Sequence, residues 1–153
     1  MNKPQNILFS SELFDEGTFY KAFLKDITNC TREIIIESPF ITTERMNGFR
    51  SVFKKILDKG IKIYVITRDP REHNETMEYQ SEEEIINFEI MGIQTFLCSG
   101  NHHRKLAIID RDILWEGSLN ILSQNKSREV MRRIKGQDFA LEMFNFLRLD
   151  EYI

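Results

Sequence analysis

Two cysteines, Cys30 and Cys98, are all that 153 residues contain, too few for a disulfide framework. No apolar run approaches the ~20 residues that a membrane span requires. The opening stretch MNKPQNILFSSELF has no long apolar segment after a basic start, so it does not read as a secretory signal. These absences point to the cytoplasm, with no membrane partner. There is no internal repeat, no low-complexity tract and no Pro/Gly/Ser-rich linker, so residues 1–153 read as one domain. A Walker A sequence is missing, which excludes a P-loop motor. Cys98, His102 and His73 match no standard zinc spacing, and neither metal nor cofactor is expected. A dominant charge is lacking too. Lys and Arg number 21 and Asp and Glu 24, for a net −3, so a polyanion partner must be met by a local patch and not by the field of the whole chain.

What is present is the material of a core: 41% hydrophobic residues, among them 12 Phe. A chain of this length buries close to 70% of its unfolded surface and needs no staple to fold. Phe19, Phe23 and Ile27 at four-residue spacing predict a helix over 18–29. EIIIE at 33–37 reads as a buried strand. Residues 44–59 read as a helix stopped by Gly60, and 61–67 as a second buried strand broken by Asp69-Pro70. Ser81 with Glu84 has capping-box spacing and predicts a helix that opens there and ends at Gly92, with Glu82, Glu83 and Glu84 complementing its N-terminus. A third strand follows at 93–98. HRKLAIID (103–110) and ILWEG (113–117) read as two strands joined by a tight Asp-Arg-Asp turn. A strand over 129–134 and a closing helix over 138–149 complete the pattern. The early alternation of strand and helix argues for βαβ units, hence an α/β fold with a mixed, mainly parallel β-sheet and helices on both faces.

The chemistry concentrates in His103-Arg104-Lys105 through Asp110 and in Gly117-Ser118-Leu119-Asn120. On a strand, His103 and Lys105 share one face about 7 Å apart. A nucleophilic imidazole and a fixed cation aimed at one place suit a phosphodiester, the cation holding the non-bridging oxygens while the imidazole attacks phosphorus. Gly117 permits close backbone approach to a ligand, and Ser118 and Asn120 add polar donors. Asp110 lies up to about 23 Å from His103 along an extended strand and has the opposite parity, so it fits the turn or an interface better than contact with that imidazole. Trp115, between the two halves, fits a core or interface role better than base stacking. His102 points away from His103 and reads as a surface or packing residue.

The pattern His-x-Lys-x4-Asp-x6-Gly-Ser-x-Asn resembles the HKD motif of the phospholipase D superfamily, matched by His103, Lys105, Asp110, Gly117, Ser118 and Asn120. The resemblance implies the phospholipase D/nuclease-like fold and metal-free catalysis through a covalent phosphohistidine, with a second HKD histidine protonating the leaving oxygen. It implies that Glu129 pairs with the catalytic histidine and gives Asp110, Ser118 and Asn120 places in the site. This chain carries one motif, and single-motif members pair as homodimers around one shared site, an arrangement that an isologous interface supplies.

Five basic residues crowd 126–135. Of these Arg128 and Arg132 fall on one side of the strand and Arg133 falls with Glu129 on the other; all three are candidate phosphate contacts. Arg45, Arg50, Lys54 and Lys55 make a second basic cluster. The segment from Gly117 to Arg133 is similar to restriction-endonuclease and helicase-associated members, so the expected substrate is nucleic acid, DNA first, with a separate recognition or helicase domain as a possible partner. A phospholipid-acting phosphodiesterase or phosphatidyltransferase is the alternative, weakened by the lack of an amphipathic basic helix. A non-catalytic DNA-binding or dimerisation module is the third reading, and an intact motif argues against it.

Overall fold

The computed structural model describes residues 9–123 and 126–153. Strands β1 (Ser10–Asp15), β2 (Glu33–Glu37), β3 (Lys62–Arg68), β4 (Gln94–Cys98), β5 (Leu106–Ile109), β6 (Ile113–Gly117) and β7 (Val130–Lys135) form one sheet in the order β1-β7-β6-β5-β2-β3-β4. Helices α1 (Phe19–Thr28), α2 (Thr43–Asn47), α3 (Arg50–Asp58) and α4 (Glu75–Met91) precede the second half, and α5 (Gln137–Phe146) closes the chain before a 3-10 turn at Leu149–Glu151.

Strand alternation divides the core in two. Ile34, Ile36, Val65, Ala107, Ile109, Trp115 and Met131 face one side, where Phe19, Phe23 and Ile27 of α1, Phe53 of α3 and Phe88 of α4 pack on them. Ile35, Tyr64, Ile66, Leu106, Ile108 and Leu114 face the other side, beneath Ala140 and Phe144 of α5. Helices thus cover both faces, as the sequence leads one to expect.

The sheet is mixed but not mainly parallel. Only β2–β3 and β3–β4 run parallel, while β1–β7, β2–β5, β5–β6 and β6–β7 are antiparallel. The reason is connection length. Helices separate β2, β3 and β4, whereas only three residues separate β5 from β6, too few for a parallel crossover. Asp110 and Arg111 both adopt left-handed backbone, at φ 55° and 52°, and turn β5 directly into β6.

Three local readings change. The 44–59 helix is two helices, interrupted at Gly48 and Phe49. Helix α4 begins six residues before the Ser81 capping box: Asn74 is the N-cap, its side chain accepting from the Met77 N–H. Ser81 is buried within the helix, and Glu84 pairs with Arg50 at 2.5 Å instead of capping an N-terminus. Gly92 does end the helix, in the left-handed conformation at φ 99°. Strand β1, which no periodicity announced, lines the sheet edge against β7.

Candidate active site

The segment bearing His103 and Lys105 is not a strand. Regular pairing of β5 starts at Leu106, and residues 101–105 run as irregular chain ahead of it. The two side chains nevertheless meet: Lys105 Nζ donates to His103 Nδ1 at 2.9 Å and to the His103 carbonyl at 2.8 Å. The phenyl ring of Phe40 stands edge-on to the imidazole, 6.2 Å between centroids. Partial burial first, then the charges of Lys105 and Arg68, push the His103 pKa below its ordinary value. The imidazole is therefore neutral, and nucleophilic, at neutral pH. Burial also lowers Lys105, and the nearby Glu129 carboxylate opposes that shift. Both residues border a cleft of about 630 Å³ that extends onto the α5 side of the sheet, between apolar Leu13, Val130 and Leu147 and the guanidinium of Arg132.

The remaining motif residues divide by location. Gly117 serves packing against β7 first: a Cβ there would lie 2.1 Å from the Val130 carbonyl oxygen and 2.9 Å from Met131 Cα. Its expected role of admitting a ligand is secondary to that of admitting the neighbouring strand. The Ser118 N–H donates to the Val130 carbonyl at 3.0 Å, and its Oγ accepts from the Val130 N–H at 3.1 Å, pinning the exit of β6 to β7. Asn120 keeps a buried side-chain oxygen with no hydrogen-bond partner among the described residues. Asp110 sits at the far end of β5, where its carboxylate accepts from the N–H groups of Thr31, Arg32 and Glu33 at 2.9, 2.7 and 3.1 Å. It holds the turn, as its separation from His103 requires, and does not touch the imidazole. Glu129 borders Lys105 electrostatically, and its N–H is held by Glu16 at 3.0 Å.

Of the basic residues, Arg132 lines the cleft, with Nη1 on Ser11 Oγ at 2.5 Å. Arg128 is exposed just ahead of β7. Arg133 turns to the other face of the sheet, where its Nε and Nη2 grip Asp26 at 2.7 and 2.9 Å beside the Trp115 indole, which donates to the same carboxylate at 2.8 Å. Arg133 is thus engaged in a part-buried ion pair on the α1 side of the sheet, away from the cleft that Arg132 lines. Trp115 is wholly buried. The cluster around α2 and α3 is also structural where it is best defined, since Arg50 engages Glu84 and Arg45 stacks on Tyr20 at 3.5 Å.

Tyr20 was not legible as a site residue. Its hydroxyl donates to the Ile121 carbonyl at 2.9 Å, and Arg45 Nε donates to the Ser123 carbonyl at 3.3 Å. Together they hold the loop that follows Asn120. Burial pushes the Tyr20 pKa up to about 12, so the hydroxyl remains a donor throughout the working pH range. Nothing in the residues of α1 separates this tyrosine from an ordinary amphipathic one.

His102 packs inward, as expected of a residue opposite His103. Its side chain is 6% exposed, with Nε2 3.7 Å from Glu37 Oε2. Burial, followed by the charges of Arg104 and Lys105, lowers its pKa to about 4. The unfolded chain takes up this proton near pH 6.5 and the folded chain only near 4, so His102 withdraws stability as pH falls through that window. Glu37 acts with the opposite sign. Its pKa is raised by burial, against the pull of Arg104, so its contribution is present at low pH and is lost as pH rises through the raised value. Replacing His102 by Gln removes only the first effect. The variant is expected to lose about 2 kcal/mol less than wild type between pH 7 and pH 4.5, measured by urea unfolding at both pH values. Equal losses in the two proteins would refute the buried neutral imidazole.

The seven-stranded sheet, with an imidazole–ammonium pair at the entry to β5 and a Gly-Ser-x-Asn turn after β6, defines a phosphodiesterase-type α/β domain. Residues 23–148 match the family described as cardiolipin synthase, PLD-like domain. The chain belongs to the phospholipase D superfamily. Among solved structures it is similar to NucT from Helicobacter pylori, at 20% identity and TM-score 0.67 over 92% of this chain and 94% of that one. It is similar as well to Nuc, a phospholipase D family member from Salmonella typhimurium, at 17% identity and TM-score 0.71 over 92% and 93% of the two chains. Phosphatidylserine synthase from Haemophilus influenzae matches at 12% identity and TM-score 0.63, over 91% of this chain and 38% of that one. A comparison with curated protein sequences returns no match. No helix among the described residues is long and apolar enough to cross a membrane.

Proposed function

We propose that this chain is a metal-independent phosphodiesterase that cleaves DNA, acting as a homodimer in which two copies of His103 share one site. The observation that carries the reading is the exposed, neutral His103 imidazole held 2.9 Å from the Lys105 ammonium at the edge of an open cleft. When a phosphodiester enters, Lys105 exchanges the imidazole for a non-bridging phosphate oxygen and frees a ring nitrogen to attack phosphorus. The P–N bond forms as the P–O bond to the leaving group breaks. The leaving oxygen takes a proton from His103 of the partner subunit, which enters the step as the imidazolium, so the two copies share one proton between them. Water, deprotonated by that same imidazole, then attacks phosphorus and releases His103. One described motif supplies one imidazole, so a second copy is needed for the acid.

The likeness to Nuc and NucT supports a nuclease over a lipid enzyme. Arg132 lines the cleft and Arg128 is exposed just ahead of β7, and both are cations that a polynucleotide's further phosphates could meet. The net charge of −3 confines attraction to this patch, so binding is weak and salt-sensitive unless a partner domain delivers the substrate.

The test is a panel of plasmid, single-stranded DNA, RNA and phosphatidylcholine vesicles, each incubated with and without EDTA. Nucleic-acid cleavage is expected at equal rates in both arms, because the ammonium already supplies the charge that a metal would. Cleavage of vesicles alone overturns the nuclease reading. Loss in EDTA that a divalent ion restores overturns the metal-free one.

A further inference from the structure

Because residues 101–105 form no strand, the backbone ladder that fixes β5 does not reach His103. What holds the segment must be found elsewhere. At its start, the Asn101 N–H donates to Glu72 Oε2 at 2.8 Å, and Arg68 donates to Asn101 Oδ1 at 2.7 Å. At its end, the Gly117 N–H reaches the Lys105 carbonyl at a long 3.4 Å. Between these points the anchor is a carboxylate. Glu37 closes β2, is 0% exposed, and has Leu106 opposite it across the β2–β5 pairing. Arg104 Nε lies 2.8 Å and His102 Nε2 3.7 Å from its Oε2. These are the residues on either side of His103. Tyr152, joined to Cys98 at 3.5 Å, completes the polar surroundings on the α5 side.

We propose that Glu37 is a positioning residue for His103, a buried carboxylate that pairs with Arg104 on one side of the imidazole and packs against His102 on the other. The proposal rests on the catalytic reading of His103. A carboxylate is a poor choice for stability here. The rest of β2 is apolar-centred and buried, and an apolar side chain of similar volume would fold at least as well. His102 is neutral at pH 7, and the Arg104 side chain is 42% exposed, so removing the carboxylate strands no buried charge. What Glu37 adds is geometry, and catalysis is sensitive to misplacement of about 1 Å.

The experiment compares wild type with Glu37→Leu and Glu37→Gln. It reads kcat and KM on bis-p-nitrophenyl phosphate, amide hydrogen exchange of residues 101–105, and the melting temperature. Glu37→Leu is expected to lower kcat by tenfold or more with KM within twofold of wild type. Its 101–105 amides should exchange about tenfold faster, with the melting temperature within a few degrees of wild type. Glu37→Gln, which keeps an acceptor for Arg104, should fall between the two. Wild-type kcat and exchange in Glu37→Leu would overturn the proposal. So would a melting temperature that collapses in both variants, since that marks a core role. If wild type cleaves no diester, the phosphodiesterase reading fails while the exchange rates still decide whether Glu37 holds the segment.

Discussion

Replacing His103 with alanine should reduce diester cleavage by at least about 10³-fold while leaving the melting temperature unchanged. The side chain is exposed and its partner is the flexible end of Lys105, so its removal opens no cavity and strands no buried charge. The loss is large because the imidazole would make and break the covalent bond to phosphorus. Mixing makes the experiment sharper. If each site uses one imidazole from each of two chains, wild type re-equilibrated with a ninefold excess of His103→Ala should retain only about a tenth of its activity, because about nine in ten wild-type chains then pair with a mutant. Unchanged activity on mixing would mean that one chain is sufficient and would remove the shared site. Full activity of His103→Ala alone would remove His103 from the chemistry.

Gly117→Ala is expected to be the most destabilising alanine substitution among the seven glycines, at about 3 kcal/mol or more. The new carbon would arrive 2.1 Å from the Val130 carbonyl oxygen. That atom is backbone of the neighbouring strand and cannot swing aside as a long side chain would. Relief requires β6 and β7 to separate where Ser118 now pins them together. At ordinary urea sensitivities of about 1–3 kcal/mol per molar, the unfolding midpoint should fall by at least 1 M. A wild-type midpoint would show that the two strands do not approach this closely.

The parts of this architecture that were legible are those written locally. EIIIE gives β2 at its full extent because a short apolar run admits few other readings. The Asp-Arg-Asp turn was readable because aspartate tolerates the left-handed backbone that Asp110 adopts. The opposite parity of Arg132 and Arg133 follows from alternation alone, and β7 keeps it, whereas Arg128 and Glu129 lie ahead of the strand. The destination of Arg133 did not follow, because it depends on Asp26 of a distant helix. Strand β1 escaped because an edge strand solvated on one face shows little apolar alternation in SSELFD. The start of α4 escaped because the local cue at Ser81 competes with an asparagine cap that has no carboxylate three residues on. Strand direction was misjudged because helix-separated strands dominate the first two thirds of the chain, whereas short connections govern the rest. As for the site, the motif marks His103 and Lys105 by identity, but it says nothing of Phe40, Tyr20 or Glu37, which reach it only through tertiary packing.

The aspartate at the far end of β5 has a meaning that its remoteness conceals. Asp110 accepts the N–H groups of three successive residues at the start of β2, and its own N–H closes on the Glu33 carbonyl at 2.9 Å. That clasp sets Ile34 opposite Ile109 and, three steps on, Glu37 opposite Leu106. Strand parity is unforgiving: a slip of one residue would carry every side chain of β5 to the other side of the sheet. Asp110 acts as the register stop of the sequence, fixing at one end of β5 the place from which the segment bearing His103 departs at the other.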